Sequence, residues 1–85
     1  MTRSEFIEAL RKSPIWKEDR YGHFKLNWKD IQYRLKIQDL SVRYERKLPD
    51  GTWFNKASDY FRNVNVIDGR IKLQGYRIPI DQLPA

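Results

Sequence analysis

The segment Ile31–Lys47, with the sequence IQYRLKI-QDLS-VRYERK, decides the fold. Two runs of alternating apolar and polar residues flank the polar step Gln38–Ser41. This period of two is typical of half-buried β-strands. A turn at the polar step sets two apolar pairs opposite each other, Ile37 with Val42 and Leu35 with Tyr44. The segment therefore predicts a hairpin with one apolar face and one polar face, and the polar face carries Arg34, Lys36, Arg43 and Glu45.

The segment before this hairpin alternates in the same way, from His23 to Trp28. A tight turn at Lys29-Asp30 would pair its apolar residues with those of the next strand. The predicted pairs are Phe24 with Leu35, Leu26 with Tyr33 and Trp28 with Ile31. Both predicted registers bury the same face of the central strand, and this agreement is the strongest structural indication in the sequence. A first strand at Ile15–Glu18, followed by a turn through Asp19–Gly22, would complete this part of the sheet.

The N-terminal residues predict a helix that ends before Pro14. Thr2 and Glu5 have the spacing of a capping box, or Ser4 caps the helix directly. The apolar residues Phe6, Ile7 and Leu10 fall on one face. A helix of about ten residues is marginal alone in water, so its apolar face must pack on the sheet.

The C-terminal half predicts further strands. The segment Leu48–Thr52 contains Pro and Gly and predicts a turn. A short strand begins at Trp53-Phe54. The segment Lys56–Asp59 after it is irregular, and we interpret it as a bulge or a single turn. We expect a strand at Tyr60–Ile67. The strongest turn signal is Asp68-Gly69, a type I′ turn that places Val66 opposite Ile71 and Val64 opposite Leu73.

After Leu73, the apolar alternation changes parity. Before Gly75 the inward position is odd-numbered, at Leu73. After it the apolar positions are even-numbered, at Tyr76, Ile78 and Ile80, and a β-bulge at Gly75 explains such a shift. Pro79 and Pro84 mark the tail as an edge strand or coil. The 85 residues therefore predict a single domain (1–85) of the α+β class. In it, one N-terminal helix packs on an antiparallel sheet of five to six strands, and we consider a half-barrel as one form of that sheet.

The composition excludes several classes of site. The chain has no cysteine and one histidine, so neither a disulfide nor a classical zinc site can form. No apolar run approaches the roughly 18 residues of a membrane helix, and no signal-peptide core follows Met1. We expect a soluble cytoplasmic protein of bacterial or phage origin, with no cofactor, no metal and no membrane partner.

The net charge of +6 is concentrated in the central hairpin. Residues 31–47 hold five basic and two acidic residues, which is half of the excess. A patch of this kind attracts phosphate or an acidic protein surface, and it also keeps a small domain soluble. A merely solvated face is the competing interpretation.

His23 is the only side chain whose unperturbed pKa lies near neutrality. Glu18 and Asp19 are close enough in sequence to orient it, although a lone histidine beside a glycine in a hairpin is more often a hydrogen-bonded strand residue. No nucleophile elbow surrounds any serine, and the chain has no glycine-rich phosphate loop. We therefore expect that the protein is not an enzyme.

The stretch Ser4–Phe24, with its helix, Trp16, Arg20 and Gly22-His23, resembles the start of the HicA-type toxins, which are small, basic and cut messenger RNA. Their pattern has a serine between the glycine and the histidine, and this serine is absent here. The resemblance covers under a quarter of the chain, and the later β-segments exceed what that family has room for. It implies a third function, in which His23 would cut RNA.

Basic and aromatic residues alternate along the predicted strands, as at Tyr33-Arg34 and Arg43-Tyr44, and Trp53 and Tyr60 flank Lys56 in sequence. Aromatic platforms among cations are typical of β-surfaces that bind single-stranded nucleic acid. By the alternation, however, Tyr33 and Tyr44 face the core, which leaves mainly cations outside. The predicted binding residues are Arg34, Lys36, Arg43, Arg46, Lys47, Trp53, Lys56 and Tyr60.

Two functions fit this surface. The first is a small basic module that binds nucleic acid through the Arg/Lys face of the hairpin. The second is a small interaction or inhibitor protein of phage or plasmid type, which would use the same face on an acidic or nucleoprotein partner. Because cations bind phosphate and carboxylate alike, the sequence does not separate the two.

Overall fold

A computed structural model describes residues 1–84 of the chain. The described residues form one α-helix, eight β-strands and one 3₁₀ turn. In chain order the elements are α1 (Arg3–Arg11), β1 (Lys17–Glu18), β2 (Phe24–Trp28), β3 (Ile31–Ile37), β4 (Ser41–Lys47), β5 (Trp53–Tyr60), the 3₁₀ turn (Phe61–Asn63), β6 (Asn65–Ile67), β7 (Arg70–Leu73) and β8 (Tyr76–Pro79).

The predicted helix is confirmed, including its capping box. The Thr2 hydroxyl accepts a hydrogen bond from the Glu5 backbone N–H at 3.1 Å, and the Glu5 carboxylate accepts one from the Thr2 N–H at 2.7 Å. Phe6 and Leu10 are fully buried, and the Phe6 ring centroid lies 5.4 Å from that of Phe61. The helix thus contributes its apolar face to the core, as a short helix must in order to persist.

Strands β1 to β5 form an antiparallel sheet in sequence order. All the pairs predicted for β2, β3 and β4 are confirmed, from Trp28 opposite Ile31 to Ile37 opposite Val42. In the β2–β3 turn, Lys29 and Asp30 both have positive φ, as a tight two-residue connection requires. The first strand is shorter than predicted, because Ile15 and Trp16 precede its two residues.

The prediction that all strands join one sheet is wrong. Strands β6, β7 and β8 form a separate three-stranded antiparallel sheet, and neither sheet is closed or strongly curled, so no half-barrel forms. The break between the sheets is the 3₁₀ turn, which occupies the first half of the strand predicted at Tyr60–Ile67. Phe61 and Val64 are both buried, and their spacing of three is the period of a 3₁₀ turn and not that of a strand.

The prediction at Asp68-Gly69 is confirmed, whereas that at Gly75 is wrong. Asp68 and Gly69 have φ of 53° and 72°, and Val66 pairs with Ile71. The ladder ends at Asn65, one residue short of the predicted pair of Val64 with Leu73. Gln74 and Gly75 form a second two-residue turn, with φ of 46° and 83°, that sets Leu73 opposite Tyr76. The change in parity therefore comes from a turn and not from a bulge.

A single hydrophobic cluster connects the helix and both sheets. In the described residues, the buried apolar side chains of the five-stranded sheet all come from one of its faces: Phe24, Leu26, Tyr33, Leu35, Ile37, Val42 and Ala57. The Trp16 indole N–H donates to the Pro79 carbonyl at 2.8 Å, and this bond ties the segment after the helix to β8. The opposite face of the five-stranded sheet carries mainly polar residues, together with Trp53 and Tyr60 of β5.

Candidate nucleic-acid interface

The polar face of the five-stranded sheet collects cations from four strands. The register aligns Lys17, Lys25, Arg34 and Glu45 in one row across β1 to β4, and Lys36 lies opposite Arg43 in the next row. Lys47 extends the same face toward Trp53. We call this surface the basic face and define it by Lys17, Lys25, Arg34, Lys36, Arg43 and Lys47 around Glu45. It holds six of the 17 basic residues of the chain and one of its 11 acidic residues.

Three pairs on the basic face place like charges directly opposite each other. They are Lys17 with Lys25, Lys25 with Arg34, and Lys36 with Arg43. Directly opposed like charges destabilise a sheet, whereas opposite charges in the same positions stabilise it by about 0.2–1 kcal/mol per pair. The Asp19 carboxylate lies 3.6 Å from Lys25 Nζ and partly offsets the repulsion on Lys25. The face is therefore less stable than a mixed-charge face would be, and its positive potential is correspondingly high.

Glu45 lies in the middle of this face and is almost fully buried, at 2% exposure. Its carboxylate accepts a hydrogen bond from Arg34 Nε at 2.7 Å and lies 3.5 Å from the Arg43 guanidinium. The Arg34 guanidinium also lies 4.2 Å from the ring centroid of Trp53. Removing one partner of such a buried pair leaves an uncompensated charge and costs several kcal/mol. The main role of Arg34 is thus structural, because it compensates the buried charge of Glu45.

Arg43, Lys36 and Lys47 are the more available cations among the predicted residues. The Arg43 side chain is 34% exposed, and its buried Nε has no hydrogen-bond partner among the described residues. Lys36 forms no ion pair with a described carboxylate, and Lys47 is exposed, with Nζ 5.7 Å from the Trp53 ring centroid. These three side chains and the half-exposed Tyr60, which lies opposite Ser41, share one face.

Two predicted residues lie on the other face of the sheet. Arg46 pairs with Tyr33 and Phe54, so it projects from the apolar face, contrary to the prediction. Lys56 is the extra residue of a bulge in β5, because Tyr44 pairs with Ala57 and Glu45 with Asn55. A bulge doubles the residues on one face. Lys56 therefore points away from Trp53 and Tyr60, although it lies between them in sequence.

The Lys56 ammonium is held in a tyrosine cage. Its Nζ lies 5.1 Å from the ring centroids of Tyr44 and Tyr76 and 5.6 Å from that of Tyr33. Burial, followed by the neighbouring Tyr33 and Tyr76, raises the pKa of Tyr44 to about 12, so the Tyr44 hydroxyl stays neutral at physiological pH. Each cation–π contact is attractive, and together they bridge the two sheets. Lys56 is thus explained as a structural residue at the junction of the two sheets.

His23 has a structural role as well. Its Nδ1 accepts a hydrogen bond from the Ile37 backbone N–H at 3.0 Å. Ile37 lies beyond the last pair of the β2–β3 ladder, Phe24 with Leu35, so this N–H has no partner in β2. Burial, together with Arg34 and Lys36, lowers the pKa of His23, although Asp19 opposes this shift. In residues 1–84, no group of three metal-binding side chains converges.

Sequence reasoning missed Lys17 and Lys25 as members of the basic face. The signal was present, because Lys25 alternates with Phe24 and Leu26 and must lie on the same face as Arg34. No helix in the described part of the chain has the length and apolarity needed to cross a membrane. Comparisons with protein-family models, with curated proteins and with solved structures yield no match.

Proposed function

We propose that the protein binds nucleic acid through the phosphate groups, which contact the basic face. The observation that carries this proposal is the set of three directly opposed like-charge pairs on one uncovered sheet face. An external polyanion relieves the repulsion that Asp19 and Glu45 leave in these pairs, and the relief adds to the binding free energy. A merely solvated face would gain stability from mixed charges instead.

The strands space these cations in a two-dimensional array. Neighbouring strands lie about 4.8 Å apart and alternate residues about 7 Å apart along a strand. Such an array suits a flexible or helical phosphate backbone better than a single small anion. Arg34 supports the array by holding Glu45, whereas Lys25, Lys36, Arg43 and Lys47 remain for contact.

The salt dependence of binding tests the proposal. If about four phosphates are neutralised, the slope of log K against log salt concentration is expected near −3.6 for duplex DNA and near −2.8 for a single strand. Replacing both Lys36 and Lys47 with Gln should remove about two phosphate contacts, and the slope should become shallower by the contribution of those two contacts. Both substitutions leave the Arg34–Glu45 pair intact, so the fold is retained.

The absence of any nucleic-acid binding at low salt would refute the proposal. An interaction or inhibitor protein with an acidic partner remains the alternative, and polyglutamate serves as its probe. Tighter binding of polyglutamate than of nucleic acid at equal ionic strength would favour that alternative. A slope near zero with either ligand would show that the basic face is only a solvated surface.

A further inference from the structure

A cleft of about 510 Å³ lies where the basic face ends at Tyr60. Its walls come from the start of the helix, the β3–β4 turn and the 3₁₀ turn, and the lining side chains relevant here are Arg3, Asp39, Leu40, Tyr60, Phe61 and Arg62. The volume is in the range of pockets that hold small organic groups, about 300–1,000 Å³. The cleft is therefore large enough for one nucleobase.

The cleft exposes apolar surface that the core does not use. Leu40 is 73% exposed and Tyr60 is 50% exposed. Both positions are fixed by the backbone, since the Phe61 N–H donates to the Leu40 carbonyl at 3.0 Å. An aromatic ring and a leucine that line the same concave site are suited to a flat apolar group.

The charges around the cleft favour an anionic ligand. The Arg62 guanidinium lies 4.9 Å from the ring centroid of Tyr60, and Arg3 Nε donates to the Gln38 carbonyl at 3.1 Å. Neither arginine has a carboxylate of residues 1–84 within ion-pair distance, and Asp39 is the acidic residue among those that line the cleft. The Met1 ammonium donates to the carbonyls of Phe61 and Val64.

We propose that this cleft takes an unstacked base of a single-stranded nucleic acid whose phosphates lie on the basic face. The inference rests on the proposed function and narrows its ligand class. Tyr60 projects from the same sheet face as Arg43, about 7 Å further along the strand direction. Tyrosine rings and arginine planes stack unpaired bases, whereas a duplex keeps its bases inside the helix.

Three labelled ligands test this inference by fluorescence anisotropy. They are an oligothymidylate of about 16 nucleotides, an abasic oligomer of the same length and a duplex of that length. The protein should prefer the oligothymidylate, and removing the bases should weaken binding by roughly fivefold or more, as expected for the loss of one stacked base. Tyr60→Ala should bind the oligothymidylate and the abasic oligomer equally, and Tyr60→Phe should keep the preference.

Tyr21→Ala is the matched control. Tyr21 is 68% exposed, and the Arg20 guanidinium lies 4.9 Å from its ring centroid, the same distance as in the Tyr60–Arg62 pair. It does not line the cleft, so its removal should leave all three affinities unchanged.

Equal affinity for the abasic and the base-carrying strand, or a preference for the duplex, would overturn the inference and leave the proposed function standing. A base preference that survives Tyr60→Ala would also overturn it. If Tyr60→Ala weakens the binding of polyglutamate but not of the oligothymidylate, the cleft serves an acidic peptide and the inference is wrong. Failure to bind any nucleic acid would refute both proposals together.

Discussion

At the scale of single residues, His23 gives the clearest pH dependence. Its Nδ1 accepts the Ile37 N–H, so protonation of this nitrogen breaks the bond. Because burial lowers the pKa of His23 in the folded chain, the folded state favours the neutral ring. The contribution of His23 to the free energy of unfolding should therefore be complete above about pH 6.5. It should decrease as the pH falls from there through the lowered pKa of the folded state.

The substitution His23→Asn isolates this effect, because an asparagine keeps an acceptor near the position of Nδ1 and does not titrate. Denaturant unfolding of the variant should be nearly independent of pH between about 5 and 7, whereas the wild type loses stability toward pH 5. The carboxylates whose pKa values are lowered, such as those of Glu18 and Asp19, lose their contributions at lower pH. The same pH dependence in both proteins would contradict this role of His23.

At the scale of elements, the Asp68-Gly69 turn fixes the second sheet. Gly69 has φ of 72°, and a Cβ added there would clash with the Asp81 carboxylate. Gly69→Val should therefore lower the free energy of unfolding by about 1–3 kcal/mol, as measured by urea denaturation. Gly75→Val is the control, since Gly75 has a similar φ of 83° but no neighbour within 4 Å. A smaller loss at Gly69 than at Gly75 would contradict the crowding at Asp81.

The registers of β2, β3 and β4 could be predicted because hydrophobic alternation and turn length agree there. The second half of the chain lacked that agreement. Phe61 and Val64 are spaced by three, so the strand predicted across them was wrong. Gln74 takes a positive φ of 46°, which a glutamine does not predict, so the sequence indicates a bulge at Gly75 where the structure has a turn.

At the scale of the whole molecule, the division into two sheets depends on contacts distant in sequence. Strand alternation says which residues face inward, but it does not say whether β6 continues the ladder of β5. For the candidate site, too, alternation gives the facing of residues in regular strands but not contacts between distant segments. Alternation predicts Lys36 and Arg43 on the polar face, where the structure has them. Arg46 and Lys47 are both predicted at the end of that face, and this is right for Lys47 and wrong for Arg46. The direction of Lys56 depends on the bulge in β5, and the burial of Glu45 depends on contacts between strands; alternation predicts neither.

The second sheet has a like-charge pair of its own, Lys72 opposite Arg77. This pair offers a control for the basic face, because Lys72→Glu and Lys36→Glu change the net charge equally and both replace a repulsive pair by an attractive one. Both variants should be as stable as the wild type or more stable by about 0.2–1 kcal/mol. They differ in position alone, and only Lys36 lies on the basic face.

The affinity of these two variants for oligothymidylate, measured at the same low salt concentration, tests the central claim most directly. Lys36→Glu should weaken binding several-fold and reduce the salt slope by about 1, whereas Lys72→Glu should bind nearly as the wild type does. Equal losses would show that net charge alone attracts the ligand. Unchanged affinity in a folded Lys36→Glu variant would contradict the assignment of the basic face as the binding surface.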